Sequence, residues 1–215
     1  MGSWFPDGDT VADVRRHRRL RHAGSHPPIR GDEDLTQLAL RAADGDRGAE
    51  EAFVARTIDD VWRYCAHLVG PGHADDATQA TYLRALRSIG GFRSESSAKT
   101  WLIGVARNTC LDLRRTLARR SRLDERLQAQ PGAGDGVEIG SGLPAELDEL
   151  LDAIAPERRE AFVLTQLLGF SYDAAADLCG VPIGTIRSRV ARARTDLAEL
   201  VERAEGPADG WADEA

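Results

Sequence analysis

Val181 to Arg194 reads VPIGTIRSRVARAR. Four arginines fall between Gly184 and Arg194 with no acid among them, on a chain of 215 residues whose formal charge is −7. The segment has to be explained both as a helix and as a basic surface. Ile186, Val190, Ala193 and Leu197 recur at three- and four-residue steps, which lines them along one side of a helix. At about 100° per residue, Ser188, Ala191 and Thr195 point away from that side. Arg187 and Arg194 flank them on one edge, and Thr185, Arg189 and Arg192 on the other. Pro182, near the first turn, removes no N–H that the helix needs.

Immediately upstream, SYDAAADLCG supplies the other half of a motif. Ser171 is placed to cap a short helix, Ala174, Ala175 and Ala176 let a second helix come close, and Gly180 allows a tight turn. This is the grammar of a helix-turn-helix. Small or hydroxylic residues at the centre of the second helix suit contact with base edges, while flanking guanidinium groups reach guanines or phosphates. Thr185, Arg187, Ser188, Arg189, Ala191 and Arg192 are therefore the candidate duplex-reading residues. A solvated basic face would share the charge but not the turn.

Working towards the N-terminus, QAQPGAGDGVEIGSGLP (128–144) is Gly-rich and patternless, the signature of a flexible linker. Before it, apolar residues recur at helical spacing from Asp32 to about Leu117, interrupted at Gly45 and Gly48 and again at Gly70-Pro71-Gly72. Tyr82, Ala85, Leu86 and Ile89 make one stripe, with Asp75 and Asp76 expected in the first turn, where the helix dipole favours acids. Leu102, Val105, Ala106, Thr109 and Leu113 make another, opposite Gly104, Asn108, Leu111 and Arg115. No β-alternating run occurs. The expectation is an all-α chain with a tail over 1–31, a helical domain over 32–122, a linker over 123–143, a second helical domain over 144–203 and an acidic tail over 204–215. The tail at 1–31 reads as disordered, as a basic arm for DNA, or as the product of a misassigned translation start. The linker leaves the two halves able to move relative to one another.

Composition narrows the function. No window approaches the 18 apolar residues of a membrane span, and no apolar leader opens the chain, so a cytoplasmic protein is expected. Cys65, Cys110 and Cys179 form no CxxC pair, and a Cys65/His67/His73 metal site has no common spacing. No phosphate-cradling glycine loop, HExxH or nucleophile–base set is present. The chain is expected to carry no cofactor, no metal and no small-molecule substrate. A helical hydrolase built on Asp75, Asp76 and His73 is the weakest reading, because acids near a helix start are usually a dipole effect. Basic islands on an acidic whole suit a protein that meets nucleic acid at defined faces.

The stretch DDATQATYLRALRSIGGFRSESSAKTWLIGVARNTCLDLRR resembles region 2 of the extracytoplasmic-function (ECF) class of bacterial sigma factors. The resemblance rests on Asp75-Asp76, Gln79, Tyr82, Ala85, Phe92-Arg93, Thr100-Trp101-Leu102, Ala106-Arg107-Asn108 and Asp112 to Arg115. PERREAFVLTQLLGFSYDAAADLCGVPIGTIRSRVARAR is similar to region 4 of that class, and the string from Leu164 to Arg194 points to its actinobacterial sigma-C group. Ala80, where the family often has Glu, and Asp173-Ala174-Ala175 depart from the pattern. The resemblance implies a dissociable subunit that takes RNA polymerase core to promoters. Asp75, Asp76, Gln79 and Leu83 would meet the clamp of the largest subunit, and region 4 the flap region. Ser94, Glu95, Ser96, Ser97, Asn108 and Arg115 would hold the single-stranded −10 element. Trp101 offers a stacking platform beside them, but its position at the helix start next to core-facing Leu102 favours a core role. Thr185 to Arg192 would read the −35 duplex. Family members are commonly restrained by an anti-sigma factor, and mutual occlusion of the two halves is the other regulation the resemblance leaves open. The rival binding-class reading is an autonomous helix-turn-helix regulator, which would bind a two-fold operator without polymerase.

Overall fold

The computed structural model describes residues 30–127 and 145–205, and among them there is helix and no strand. The interior of the expected linker, nearly all of the N-terminal tail and most of the acidic tail lie outside the described residues. At their margins, the first helix begins at Arg30, the last helix of the first half runs on to Leu127, and the final helix ends at Glu205.

Helix α1 (Arg30–Ala43) turns through Asp44-Gly45 into α2 (Arg47–Val69). The break expected at Gly45 and Gly48 falls at Gly45, at φ 92°, with Asp46 capping the next helix, and Gly48 is already helical. Asp46 Oδ1 accepts from Ala49 N at 3.0 Å and its Oδ2 accepts from Arg41 Nη2 at 2.6 Å. Those contacts, the backbone bond first, hold the Asp46 carboxyl below its usual range. Helix α3 (Pro71–Ser88) starts directly after Gly70, with Pro71 at the position where a missing N–H costs nothing. Asp75 and Asp76 therefore fall in the second turn and not the first, beyond the favourable end of the dipole. Asp75 accepts instead from Trp62 Nε1 at 2.6 Å.

A 3₁₀ turn at Ile89–Gly91 and the loop to Ser97 lead into α4 (Ala98–Leu127). Phe53, Val61, Tyr64, Tyr82, Leu102, Ile103 and Ala106 fill the space between α2, α3 and α4. Thr57 Oγ1 and Tyr82 OH lie 2.8 Å apart within it, and burial pushes the Tyr82 phenol up to about 12. The tyrosine and threonine thus satisfy each other where water is excluded.

The second half comprises α5 (Ala145–Asp152), α6 (Pro156–Phe162), α7 (Tyr172–Cys179) and α8 (Ile183–Glu205). α6 continues into a single π turn over Val163–Leu167, in which Leu168 N reaches back five residues to Val163 O at 2.9 Å. Ser171 Oγ accepts from Ala174 N at 3.1 Å and caps α7 as its sequence indicates. Gly180 closes α7 in the left-handed conformation, at φ 68° and ψ 34°, which an L side chain resists. Ile186, Val190 and Ala193 are buried, and burying Ile186 and Val190 stabilises the motif by roughly 1.5–3 kcal/mol each.

The two halves are packed together. One apolar cluster runs from Phe53 and Leu102 through Leu164 and Phe170 to Ile186 and Val190. α6 and the π turn lie on α2, and α7 lies on α4. Polar bonds stitch the seam: Lys99 Nζ to Leu168 O at 2.9 Å, Tyr64 OH to Glu160 Oε1 at 2.9 Å, and Arg107 Nε to the same oxygen at 2.7 Å. The faces of the two halves are complementary, and the described conformation is closed.

Candidate nucleic-acid interface

The arginine face of α8 stands opposite its buried stripe. Arg187, Ser188, Ala191 and Arg192 are exposed, while Thr185 and Arg189 are half-buried at the edge. Ser188 Oγ donates to Thr185 O at 2.9 Å, so its hydroxyl lies flat on the helix and leaves the centre of the face low. Arg194, expected on the flank, donates from Nη2 to Gln166 Oε1 at 2.6 Å and braces the helix against the π turn. Arg158 Nη1 donates to both oxygens of Asp196, at 2.9 and 2.6 Å, and fixes the other side. A rigid helix with a shallow centre and guanidinium edges is a shape that enters a major groove.

A second face runs along the start of α4. Ser94, Glu95 and Ser96 are exposed, with Ser94 at a positive φ of 51°. Ser97 differs from its three neighbours: its hydroxyl accepts from Thr100 N at 3.1 Å and is committed to capping α4. Trp101 packs tilted against Phe92, with centroids 5.3 Å apart, and belongs to the core. Asn108 is exposed about 15 Å along the helix from Ala98. Arg115 follows it, exposed, with Nη1 at 3.4 Å from Asp112. Loop and asparagine are strung out along a path of the kind a single strand can follow and do not form one pocket.

The remaining members of that α4 stripe face the seam. A Cβ on Gly104 would stand 3.6 Å from Leu178 Cδ2 of α7, an ordinary contact, so the close approach expected here does not require glycine. Leu111, Arg107 and Arg114 border an open cleft of about 320 Å³ whose far wall is Glu157, Arg159 and Glu160. Burial lowers the Arg107 guanidinium, and the charge and hydrogen bond of Glu160 outweigh it and raise it. Burial first, then the Glu160 charge, holds the Tyr64 phenol well above its ordinary value. Sequence reasoning did not single out Tyr64, Lys99 or Glu160. The signal available was that Lys99 is the one lysine in the chain.

On α3, Asp76, Gln79 and Leu83 share an exposed face, with Leu83 at 53% exposure, while Asp75 is held by Trp62. An uncovered leucine among polar neighbours is suited to a protein partner. The residues weighed for a metal do not converge. Cys65 is buried against Cys110, whose hydrogen bond lowers the Cys65 thiol and raises its own. His67 faces the seam, and among the described residues no three His, Cys, Asp or Glu side chains cluster as ligands would. No helix among them is long and apolar enough to cross a membrane.

Fold and faces together define a two-part, all-helical DNA-binding protein with a helix-turn-helix at its C-terminal end. Residues 53–120 match the family model "Sigma-70 region 2" and residues 145–197 match "Sigma-70, region 4". The chain is 46% identical over 167 residues to the ECF RNA polymerase sigma factor SigC of Mycobacterium tuberculosis, spanning 77% of this chain and 90% of that one. It is 32% identical over 184 residues to the ECF RNA polymerase sigma factor SigE of Mycolicibacterium smegmatis, covering 81% of this chain and 71% of that one. Among solved structures it is similar to the sigma factor RpoE of Bartonella quintana in complex with the anti-sigma factor NepR. That match has a TM-score of 0.60 and 29% identity, over 70% of this chain and 95% of that one. CnrH, in complex with the cytosolic domain of CnrY, matches with a TM-score of 0.59 and 25% identity, over 80% and 99%. The chain belongs to the ECF RNA polymerase sigma factors, and within them it groups with the sigma-C-like members. It directs RNA polymerase to promoters.

Proposed function

We propose that the work of this sigma factor is divided between the two faces described above. α8 lies in the major groove of the −35 element, with Ser188 and Ala191 against base edges and Thr185, Arg187, Arg189 and Arg192 reaching guanines and phosphates. The Ser94–Ser96 loop, Asn108 and Arg115 hold the −10 strand once it is single, and the capture of an unstacked base offsets a few kcal/mol of melting. Ser97 supports that loop as the cap of α4. Asp76, Gln79 and Leu83 meet the polymerase clamp, and the second half meets the flap region. We assign these roles to domains over 32–122 and 144–203, in a cytoplasmic protein without enzymatic chemistry of its own. An anti-sigma factor is a further partner, by likeness to the Bartonella quintana complex.

The observation that carries the reading is the opposition on α8 of a buried Ile186–Val190–Ala193 stripe and an exposed face bearing Arg187 and Arg192. Reconstitution with polymerase core on a pool of genomic promoters tests it. Arg189→Ala combined with Arg192→Ala is expected to weaken initiation at −35-dependent promoters by about 1–3 kcal/mol for each arginine that reads a base. Unchanged initiation by the double variant would remove α8 from the −35 element.

A further inference from the structure

Arg107 and Asn108 are consecutive on α4, yet they are occupied differently. Asn108 is exposed, whereas the Arg107 side chain is only 21% exposed and gives its Nε to Glu160 at 2.7 Å. Glu160 sits on α6, in the other half of the molecule, with its side chain 13% exposed. The same oxygen also accepts from Tyr64 OH at 2.9 Å. An oxyanion that collects a guanidinium and a hydroxyl at one oxygen offers Arg107 what a backbone phosphate offers: negative charge and a hydrogen-bond acceptor. The cleft between α4 and α6 opens beside this pair, and Arg114 stands at its edge.

We propose that Glu160 is an internal stand-in for a promoter phosphate, holding the Arg107 guanidinium in the closed form until a DNA strand takes its place. The inference rests on the reading of the α4 face as a DNA contact. It adds to that reading a further contact residue, Arg107, and a competitor built into region 4. Two physical features suit the exchange. A largely buried ion pair gains little net stability, because its desolvation cost nearly cancels its attraction, so replacing one anion by another is close to balanced. The release of Arg107 also detaches the bond at the centre of the seam, so strand binding and separation of the halves favour each other.

A phosphate contact carries no sequence information, so the test needs no known promoter. The full-length protein is titrated with a fluorescent random-sequence single strand of about 12 nucleotides, within the span of one single-strand site. Glu160→Gln is expected to bind about 3- to 10-fold more tightly than the parent, the scale of one charge-assisted contact. Its affinity is expected to fall more steeply with salt, by about 0.7 in the logarithmic slope. Glu157→Gln removes the same charge from the same wall without touching Arg107, and is expected to change affinity less than about 2-fold. Arg107→Ala placed on Glu160→Gln is expected to abolish the gain. A Glu160→Gln protein no tighter than Glu157→Gln, or a gain that survives Arg107→Ala, overturns the proposal. The unaltered protein gives a second check that needs no variant to fold. Strand binding is expected to speed hydrogen exchange at the amides of α6, and undiminished protection there in the bound protein also overturns it. Initiation by Asn108→Ala holoenzyme on promoters varied at single −10 positions separates the two readings. If it shows no position-specific effect while the Glu160→Gln gain still runs through Arg107, the stand-in holds and only the −10 placement falls.

Discussion

Asn108 shows how much one residue can say. Its neighbours on one side, Ala106 and Thr109, are buried in the first core, which fixes the rotation of α4 and leaves the amide outside. An exposed carboxamide on a rigid helix can pair bidentately with one base edge and not with others. Asn108→Ala is therefore expected to change which −10 bases are preferred more than it changes total DNA affinity. Open-complex yields on promoters altered one −10 position at a time measure this, and a uniform loss across them would contradict it. Residues of this kind were legible in the sequence because helical phase alone put them opposite an apolar stripe. Ser97 was not, since a serine before a helix is equally a cap and a surface hydroxyl, and only the 3.1 Å bond from Thr100 N decides. Arg194 looked like a groove contact by phase and is turned aside by Gln166, a partner 28 positions away.

Among elements, the helix-turn-helix was the most readable, because each of its parts has one chemical job. Ser171 caps α7, Gly180 turns the chain, and Pro182 precedes α8. Gly180→Ala places a Cβ in the left-handed region and is expected to cost about 1–2 kcal/mol. In a domain of about 60 residues that is a fall of about 4–16 °C in Tm, read by thermal denaturation of the free protein. A melting temperature equal to the parent's would mean that the turn relaxes. The boundaries of α3 were less readable. Its acids suggested a start near His73, with Asp75 and Asp76 in the first turn, but Pro71 is an acceptable first residue and the helix begins there. The π turn had no signature at all, because five residues in place of four leave local composition unchanged.

For the whole molecule, the sequence indicated two helical units and a linker, and left their meeting unspecified. Tyr64 and Glu160 are 96 positions apart, and Arg107 and Glu160 are 53 apart. No periodicity reports such pairs. His67 is expected to make the closed form sensitive to acid. It is buried at the seam, facing Arg63 on its own helix, Asp148 and Asp152 of α5, and Arg159 of α6. Burial is the largest influence and lowers it below its ordinary 6.5, so the closed form holds it neutral. Once exposed it takes up a proton at its ordinary value, and the separated form binds more protons below about 6.5. The seam is thus expected to be firmest above that pH and to loosen as the pH falls through it. Hydrogen exchange at the amides of α5 and α6 measures the change, and His67→Gln is expected to flatten it. Equal protection at neutral and mildly acid pH would exclude the histidine from this role.

The π turn bears on how this chain can change length. A π turn is an α-helix that accommodates one surplus residue, and removing any one of Val163–Leu167 would restore the ordinary pitch. What lies beyond would keep nearly the same rotation about the axis, because the surplus residue lengthens the chain and adds almost no turn, so Leu168 and Phe170 would stay on the core side and the carbonyl near Lys99. Substitution within this turn can be absorbed by repacking. A single deletion can be absorbed as well, so this turn is a place where the chain can lose one residue without losing its register.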